Sequence, residues 1–335
     1  MSAPDVALSY ARELAKEKRA ALASVKRSWR MMGDDFDAAW SLAGPRVLAA
    51  VTGAQAEVAA LADRYVADVA PLTVSRLRDP DYAPAVSAWI GVAGDGRPVE
   101  SLAHGAVIQA KTKVAQGATT HQALKDAGKW LTAAMGTVLA DTHRSVEQVA
   151  IRSRRTGLYT RMLTGPSNCG RCVILAGRKY RSAQAFLRHP QCDCVHIPAS
   201  EDLAGDLTTD PHAYLDSLSD KDLIRVLGSK DNARAWRDGA DVNQLVNAYR
   251  RKGSVQKAQL YGNRVLSFTD EGRTRRGRAY KAMAEHHSAF RKQLDVKDGR
   301  YRRTQIQRLM PSSIYELAKD PQDAQRLLRT YGWIL

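Results

Sequence analysis

The stretch LAAVTGAQAEVAALADRYVADV, residues 48–69, places Leu48, Val51, Gln55, Val58, Ala62, Tyr65 and Val69 at alternating steps of three and four. A helix turns once in about 3.6 residues, so these positions share one face. The seam is apolar or small except for Gln55. At about three heptads it is short for a coiled coil and reads as a helix within an ordinary bundle, closed by Pro71.

The same periodicity extends outward in both directions. Upstream, Val6, Tyr10 and Leu14, then Leu22, Val25 and Trp29, predict a helix over 4–30, broken at Gly33-Asp34-Asp35. Downstream, 79–100 is rich in breakers (Pro80, Pro84, Gly91, Gly94, Gly96, Pro98) and reads as a connection with at most one short helix, near 85–90. A second long helix is expected over 121–155, with Leu124, Ala127, Leu131, Met135, Val138, Val146 and Val149 on its stripe. Residues 1–150 are thus an alanine-rich helical domain without clustered chemistry.

Beyond it, 151–200 holds all four cysteines, and 198–211 is polar and turn-rich, marking a boundary. Short helices are expected at 218–227, 232–237 and 241–251, and a strongly basic one over 273–293. Ser313 and Glu316 have capping-box spacing, Asp320-Pro321 opens a last helix ending at Gly332, and Trp333 to Leu335 follow as an apolar tail. The expected fold is mainly α: a helical-bundle N-terminal half, a small zinc-knuckle-like α+β segment (151–200), and a helical basic C-terminal domain (201–335).

Charge separates the halves. Residues 1–150 carry 17 Lys+Arg against 16 Asp+Glu, whereas 151–335 carry 34 against 19. A basic half joined to a neutral one suits a polyanionic neighbour, bound through counterion release without sequence preference, or equally a solvated basic surface or an acidic protein partner. No run is apolar and long enough to span a membrane, and the first residues lead straight into a helical pattern without a leader. The reading is a soluble chain kept in a reducing compartment, where paired cysteines favour metal or thiol chemistry.

Cys169-Gly-Arg-Cys172 and Cys192-Asp-Cys194 are separated by nineteen residues, with His189-Pro190 before the second pair. A CxxC turn supplies two thiolates to one edge of a zinc tetrahedron and a second pair supplies the opposite edge. CxC is tighter than a second CxxC, so the fourth ligand is Cys194 or His189, with His196 a more remote candidate. Such a site is closed and structural. Buried inert thiols, disulfides formed outside the cell and a redox CxxC are the competing readings; the redox one is weakest, since CGRC does not follow a strand in a βαβ pattern.

Arg273, Arg275, Arg276 and Arg278 put four guanidiniums in six positions, a surface competent for phosphate unless Asp270 and Glu271 pair with them at a helix start. No GxSxG, Walker loop, HExxH or zinc-deaminase pattern is present, and the adjacent His286 and His287 point about 100° apart on a helix. No catalytic residue is assigned.

The segment Cys169-Gly-Arg-Cys172-Val-Ile-Leu-Ala176, followed by His189-Pro-Gln-Cys192-Asp-Cys194, resembles the CGxCxxLA and HPxCxC signature of MuF-like minor capsid proteins, the head morphogenesis proteins of tailed bacteriophages. Arg237-Asp-Gly-Ala-Asp241 with Val246-Asn-Ala248 is similar to that family's RDGAD and VVNA. Thr269-Asp-Glu-Gly-Arg-Thr-Arg-Arg-Gly277 is similar to its TTEGTTRRG, and Ile314-Tyr-Glu-Leu-Ala318 with Arg326-Leu-Leu-Arg-Thr-Tyr-Gly332 to its closing region. The likeness covers 150–335. Asp193 stands where the family often has arginine, and Arg273 interrupts the threonines.

The resemblance implies a non-enzymatic, low-copy virion protein, made in the host cytoplasm and housed inside the capsid near the portal. Its partners would be the portal protein, other capsid proteins and packaged double-stranded DNA, with neither a membrane nor a small-molecule substrate; the structural zinc is read from the cysteine spacing. The alternative is a freestanding zinc-containing nucleic-acid-binding protein. A capsid-processing protease finds no nucleophile and base here.

Overall fold

A computed structural model of the chain describes residues 3–163, 168–184, 194–199, 210–260, 264–274, 276–286, 296–298, 301–303 and 307–335. Helix outweighs strand, 62% against 10%, as the mainly-α expectation requires. The chain divides into two compact units, Met1–Asn168 with Leu175–Asp210, and Cys169–Ile174 with Pro211–Leu335.

The first unit is built on α1 (Ala3–Trp29), α2 (Phe36–Thr73), α3 (Val99–Ala115) and α4 (Thr120–Ser153), with a 3₁₀ turn at Val86–Trp89. Asp35 starts α2 by accepting the Ala38 amide at 3.0 Å, and Thr119 caps α4 through the Gln122 amide. The expected helices are present, but α2 begins before residue 48 and passes through Pro45; it runs on from Pro71 to Thr73, so that proline sits in the last turn. Helix α3 departs from the expected breaker-rich connection at its end. Its buried face is Val99, Ala103, Ala106, Val107 and Ala110, mostly too small to print a strong hydrophobic period.

The core of the bundle joins Val25, Trp29, Phe36, Val51, Val107, Leu131, Met135 and Leu139. Where α1 meets α4, Gly128 lies under the Trp29 indole: a Cβ there would come within 2.5 Å of the ring. The indole N–H donates to the Leu124 carbonyl at 2.9 Å. Three short strands complete the unit: β1 (Leu158–Met162), β2 (Lys179–Arg181) and β3 (Val195–Ala199), antiparallel in the order β2-β1-β3. Arg161 faces His196, and Tyr159 faces both Tyr180 and Pro198.

Gln55, the polar break in the heptad seam, is fully buried. Its amide nitrogen donates to the carbonyls of Trp89 (2.8 Å) and Val92 (2.9 Å) and approaches Thr142 Oγ1 at 3.0 Å, while its oxygen accepts the Gly91 amide at 2.8 Å. One side chain therefore satisfies the turn-forming backbone that could not otherwise be buried against α2.

The second unit contains the short helices α5 (Gly170–Val173), α6 (Pro211–Asp216), α7 (Asp220–Leu227), α8 (Lys230–Arg237), α9 (Val242–Asn247), α10 (Arg278–His286), α11 (Pro311–Leu317) and α12 (Pro321–Thr330). Ser219, Ser229, Asp241 and Asp320 cap α7, α8, α9 and α12 with their side chains, the last as its Asp-Pro signature predicts. Gly332, at φ +65°, follows the C-terminus of α12 against the Ala279 backbone, leaving no space for a side chain.

Three expectations change here. The basic domain is not purely helical: β4 (Val255–Leu260) and β5 (Arg264–Thr269) form an antiparallel hairpin, and further on come the paired β6 (Val296–Asp298) and β7 (Tyr301–Arg303) and then β8 (Arg308–Leu309), which joins β5. The expected basic helix over 273–293 begins only at Arg278, and 287–293 lies outside the described residues. Ser313 caps nothing; Pro311 starts α11 earlier, and the buried Ser313 hydroxyl accepts the Ser267 amide of β5 at 2.7 Å.

The expected apolar tail is core. Trp333 is fully buried, its indole donating to the Leu309 carbonyl at 2.8 Å with the Arg308 guanidinium 3.8 Å above the ring. Arg308 donates to the carbonyls of Tyr331 (2.9 Å), Gly332 (2.7 Å) and Glu271 (3.3 Å). Burial pulls its pKa down to about 9, which leaves it charged at neutral pH.

Gln55→Leu keeps the volume on the seam but strips the Gly91 amide and the two carbonyls of their partner. It should cost about 2–4 kcal/mol, read as a lower urea midpoint, and raise amide exchange over 86–93.

Candidate functional site

The CxxC turn is local and ordered. Cys169 is the N-cap of α5, its sulfur accepting the Cys172 amide at 3.4 Å, and the two sulfurs are 3.5 Å apart. Zinc–sulfur bonds of about 2.3 Å in a tetrahedron put neighbouring sulfurs about 3.8 Å apart, so the turn already presents one edge of such a site. Gly170 permits this approach, since a Cβ would fall 2.8 Å from the Val226 carbonyl oxygen. Arg171 ties the turn down by donating to the carbonyls of Tyr249 and Arg250.

His189 and Cys192 lie outside the described residues. Cys194 belongs to the first unit, just ahead of β3, buried with its sulfur 4.0 Å from Asn168 Oδ1. Among the described residues, no group of three or more His, Cys, Asp or Glu is arranged to hold a metal.

The arginines separate by environment. Arg273 is buried, with a nitrogen 2.5 Å from Asp270 Oδ1. Arg276 and Arg278 are exposed, the latter 4.0 Å from Asp241, and Arg275 lies outside the described residues. Glu271 turns to Arg251 at 2.7 Å. The pairing of acids with arginines weighed from the sequence thus occurs at Arg273, while Arg276 is exposed and Arg278, also exposed, reaches Asp241.

The densest cluster of titratable groups went unread in the sequence. Glu147, on α4, is fully buried: Oε1 accepts the Tyr10 hydroxyl at 2.6 Å and His143 Nδ1 at 2.9 Å, while Oε2 accepts the His196 amide at 3.3 Å and lies 3.1 Å from its ring Nδ1. Tyr65 stacks on Tyr10 with centroids 4.1 Å apart and donates its hydroxyl to the His196 carbonyl at 2.8 Å. The available signal was His143 and Glu147 at i,i+4 on the stripe carrying Leu139, Val146 and Ala150, where two polar residues interrupt an apolar face.

Burial alone would drive the Glu147 carboxyl upward, but His143 and then His196 hold it far below the usual carboxylate range. Burial lowers the His143 pKa, opposed in part by Glu147, and raises the Tyr10 and Tyr65 hydroxyls, assisted by the Glu147 charge. The result is an ionised carboxylate among donors, closed to substrate because both histidines and the glutamate are at most 1% exposed. It links α1, α2, α4 and β3, which makes it a structural hub.

Comparison of the chain with protein-family models, curated proteins and solved structures found no match.

Glu147 and His143 both have folded pKa values depressed below their unfolded ones. Their stabilisation is complete above the unfolded values, about 6.5 for histidine, and is lost as pH falls. The melting temperature should therefore drop between about pH 7.5 and 5. His143→Gln, which keeps a donor to Glu147, should flatten that drop; an unchanged slope would assign the acid sensitivity elsewhere.

Proposed function

We propose that the chain is a non-enzymatic minor capsid protein of the MuF-like kind, a structural component of the phage head interior near the portal and packaged DNA. The observation that carries this reading is where the signature-like blocks fall. CGRC, RDGAD with VNAYR, the TDEGRTRRG stretch and the closing IYELA and LLRTYG segments belong to the second unit and hold one another, whereas the His189 to Cys194 block is assigned to the first.

Tyr315 donates to Asp238 at 2.5 Å, and the Asp241 amide donates to the Trp333 carbonyl at 2.8 Å. Thr269 donates to the Ala248 carbonyl at 3.0 Å, and Arg308 bridges the carbonyls of Glu271 and Gly332. Arg171 of the cysteine turn reaches Tyr249 and Arg250. Motifs spent on mutual support suit a structural domain better than a reaction centre. Zinc on Cys169 and Cys172 would staple the cysteine turn; the 3.5 Å sulfur spacing fits that role.

Cys169→Ser with Cys172→Ser should remove about one zinc per chain from purified protein. In the virus that encodes the chain, the double mutant should give defective or DNA-poor particles. Normal infectious yield would overturn the capsid reading, and wild-type protein free of zinc would overturn the metal.

The exposed Arg276 and Arg278 favour a second reading, a freestanding zinc-containing nucleic-acid-binding protein. It requires duplex affinity to fall steeply with salt, by about 0.9 in log K per log salt for each phosphate neutralised, and Arg276→Ala with Arg278→Ala to reduce that slope by about two. A flat dependence excludes it.

A further inference from the structure

Residues 1–150 are almost neutral in sum, yet one groove on the first unit is lined by cations alone among its charged groups. It lies between the end of α1 and the first turns of α4, with a volume of about 400 Å³. Lys26 in the last turn of α1 and Arg30 just past its end are one turn apart, the Arg30 amide donating to the Lys26 carbonyl at 3.2 Å, and Lys125 and Lys129 are one turn apart on α4. All four are exposed, and among the described residues none closes an ion pair within 4.0 Å; Asp126 on the same helix is engaged by Lys113 at 2.6 Å and also attracts Lys129. The floor is carbon: Trp29, whose N–H is already spent on the Leu124 carbonyl, and Leu124 itself, half-buried. Thr132 at the far end turns its hydroxyl back to the Gly128 carbonyl, so it too offers no free donor.

Cations in two rows across an apolar floor define their complement. A ligand of carboxylates alone would leave the floor wet, and an apolar ligand would leave four charges unanswered. Nucleic acid fits poorly: the open floor is limited to the edge of Trp29, 8% exposed, and the half-buried Leu124, which one apolar side chain can cover but which offers no open ring face for a base to stack on. The α4 wall from Leu124 to Ala133 runs about 13 Å, two to three helical turns.

We propose that this groove docks an acidic amphipathic helix of a partner protein, with acids one turn apart on the lysines and arginine and a single apolar side chain set against Trp29 and Leu124. This is the helix-in-groove mode, in which an apolar anchor supplies affinity and flanking charges supply orientation. Nothing in the site depends on the capsid reading, because groove and floor both belong to the first unit.

The test uses the full chain and a fluorescein-labelled helical peptide about 14 residues long, built from Glu and Ala with one central Leu. Fluorescence anisotropy should show saturable binding. Affinity should fall at least about tenfold for Lys125→Glu with Lys129→Glu, and again when the peptide's Leu is replaced by Ser. The exposed Lys26→Glu with Arg30→Glu pair gives the same readout from the opposite wall if the first pair disturbs folding. No binding at low salt overturns the proposal. So does binding that ignores the Leu and is displaced equally by duplex DNA of matching charge, which would make the groove a general polyanion surface.

Discussion

A carboxylate buried without solvent is among the costliest groups a fold can hold, and the first unit is arranged around one. Glu147 is tolerable only because Tyr10, His143 and His196 all point hydrogen toward it, and those donors come from two helices and a strand. Removing any single donor leaves a charge partly unanswered in a medium of low polarisability. The arrangement is therefore specific rather than simply stabilising: apolar residues of equal volume could fill the space, but they would not dictate which strand residue meets which turn of α4. Gln55 does similar work a few turns away, matching one side chain to three backbone groups of the 89–92 turn.

Among its described residues the second unit has no long helix and relies on connections between short ones. Arg308 is central there. It gathers the carbonyls at the end of α12 with that of Glu271 and covers the Trp333 ring. Capping aspartates and serines fix the short helices locally, and a few long-range bonds, from Arg308, Tyr315 and Thr269, join segments distant in sequence.

Legibility followed side-chain size and sequence distance. Helices α1, α2 and α4 are readable because Leu, Val, Tyr and Trp mark their buried faces over many turns. Helix α3 is not, since alanines carry its contacts. The β4–β5 hairpin is short, and its period-two signal reduces to Leu266 and Phe268. Trp333 reads as tail because its partners, Leu309 and Arg308, are remote in the chain. Of the candidate sites, Cys169 and Cys172 are legible from local geometry alone. Arg273 differs from Arg276 and Arg278 only through burial, which spacing does not encode. The Glu147 cluster needs Tyr10 and His196 brought from opposite ends of the first unit, and only i,i+4 spacing hints at it.

Strand β3 is one of the two edges of its sheet among the described residues, and at His196 both backbone groups are taken by side chains, the amide by Glu147 and the carbonyl by Tyr65. An open edge is an invitation to strand addition by a neighbouring chain. Here that invitation is withdrawn at the strand's middle by groups that cannot let go without stranding a charge. On this side of the sheet, the carboxylate that organises the helices also blocks the backbone from pairing with a further strand.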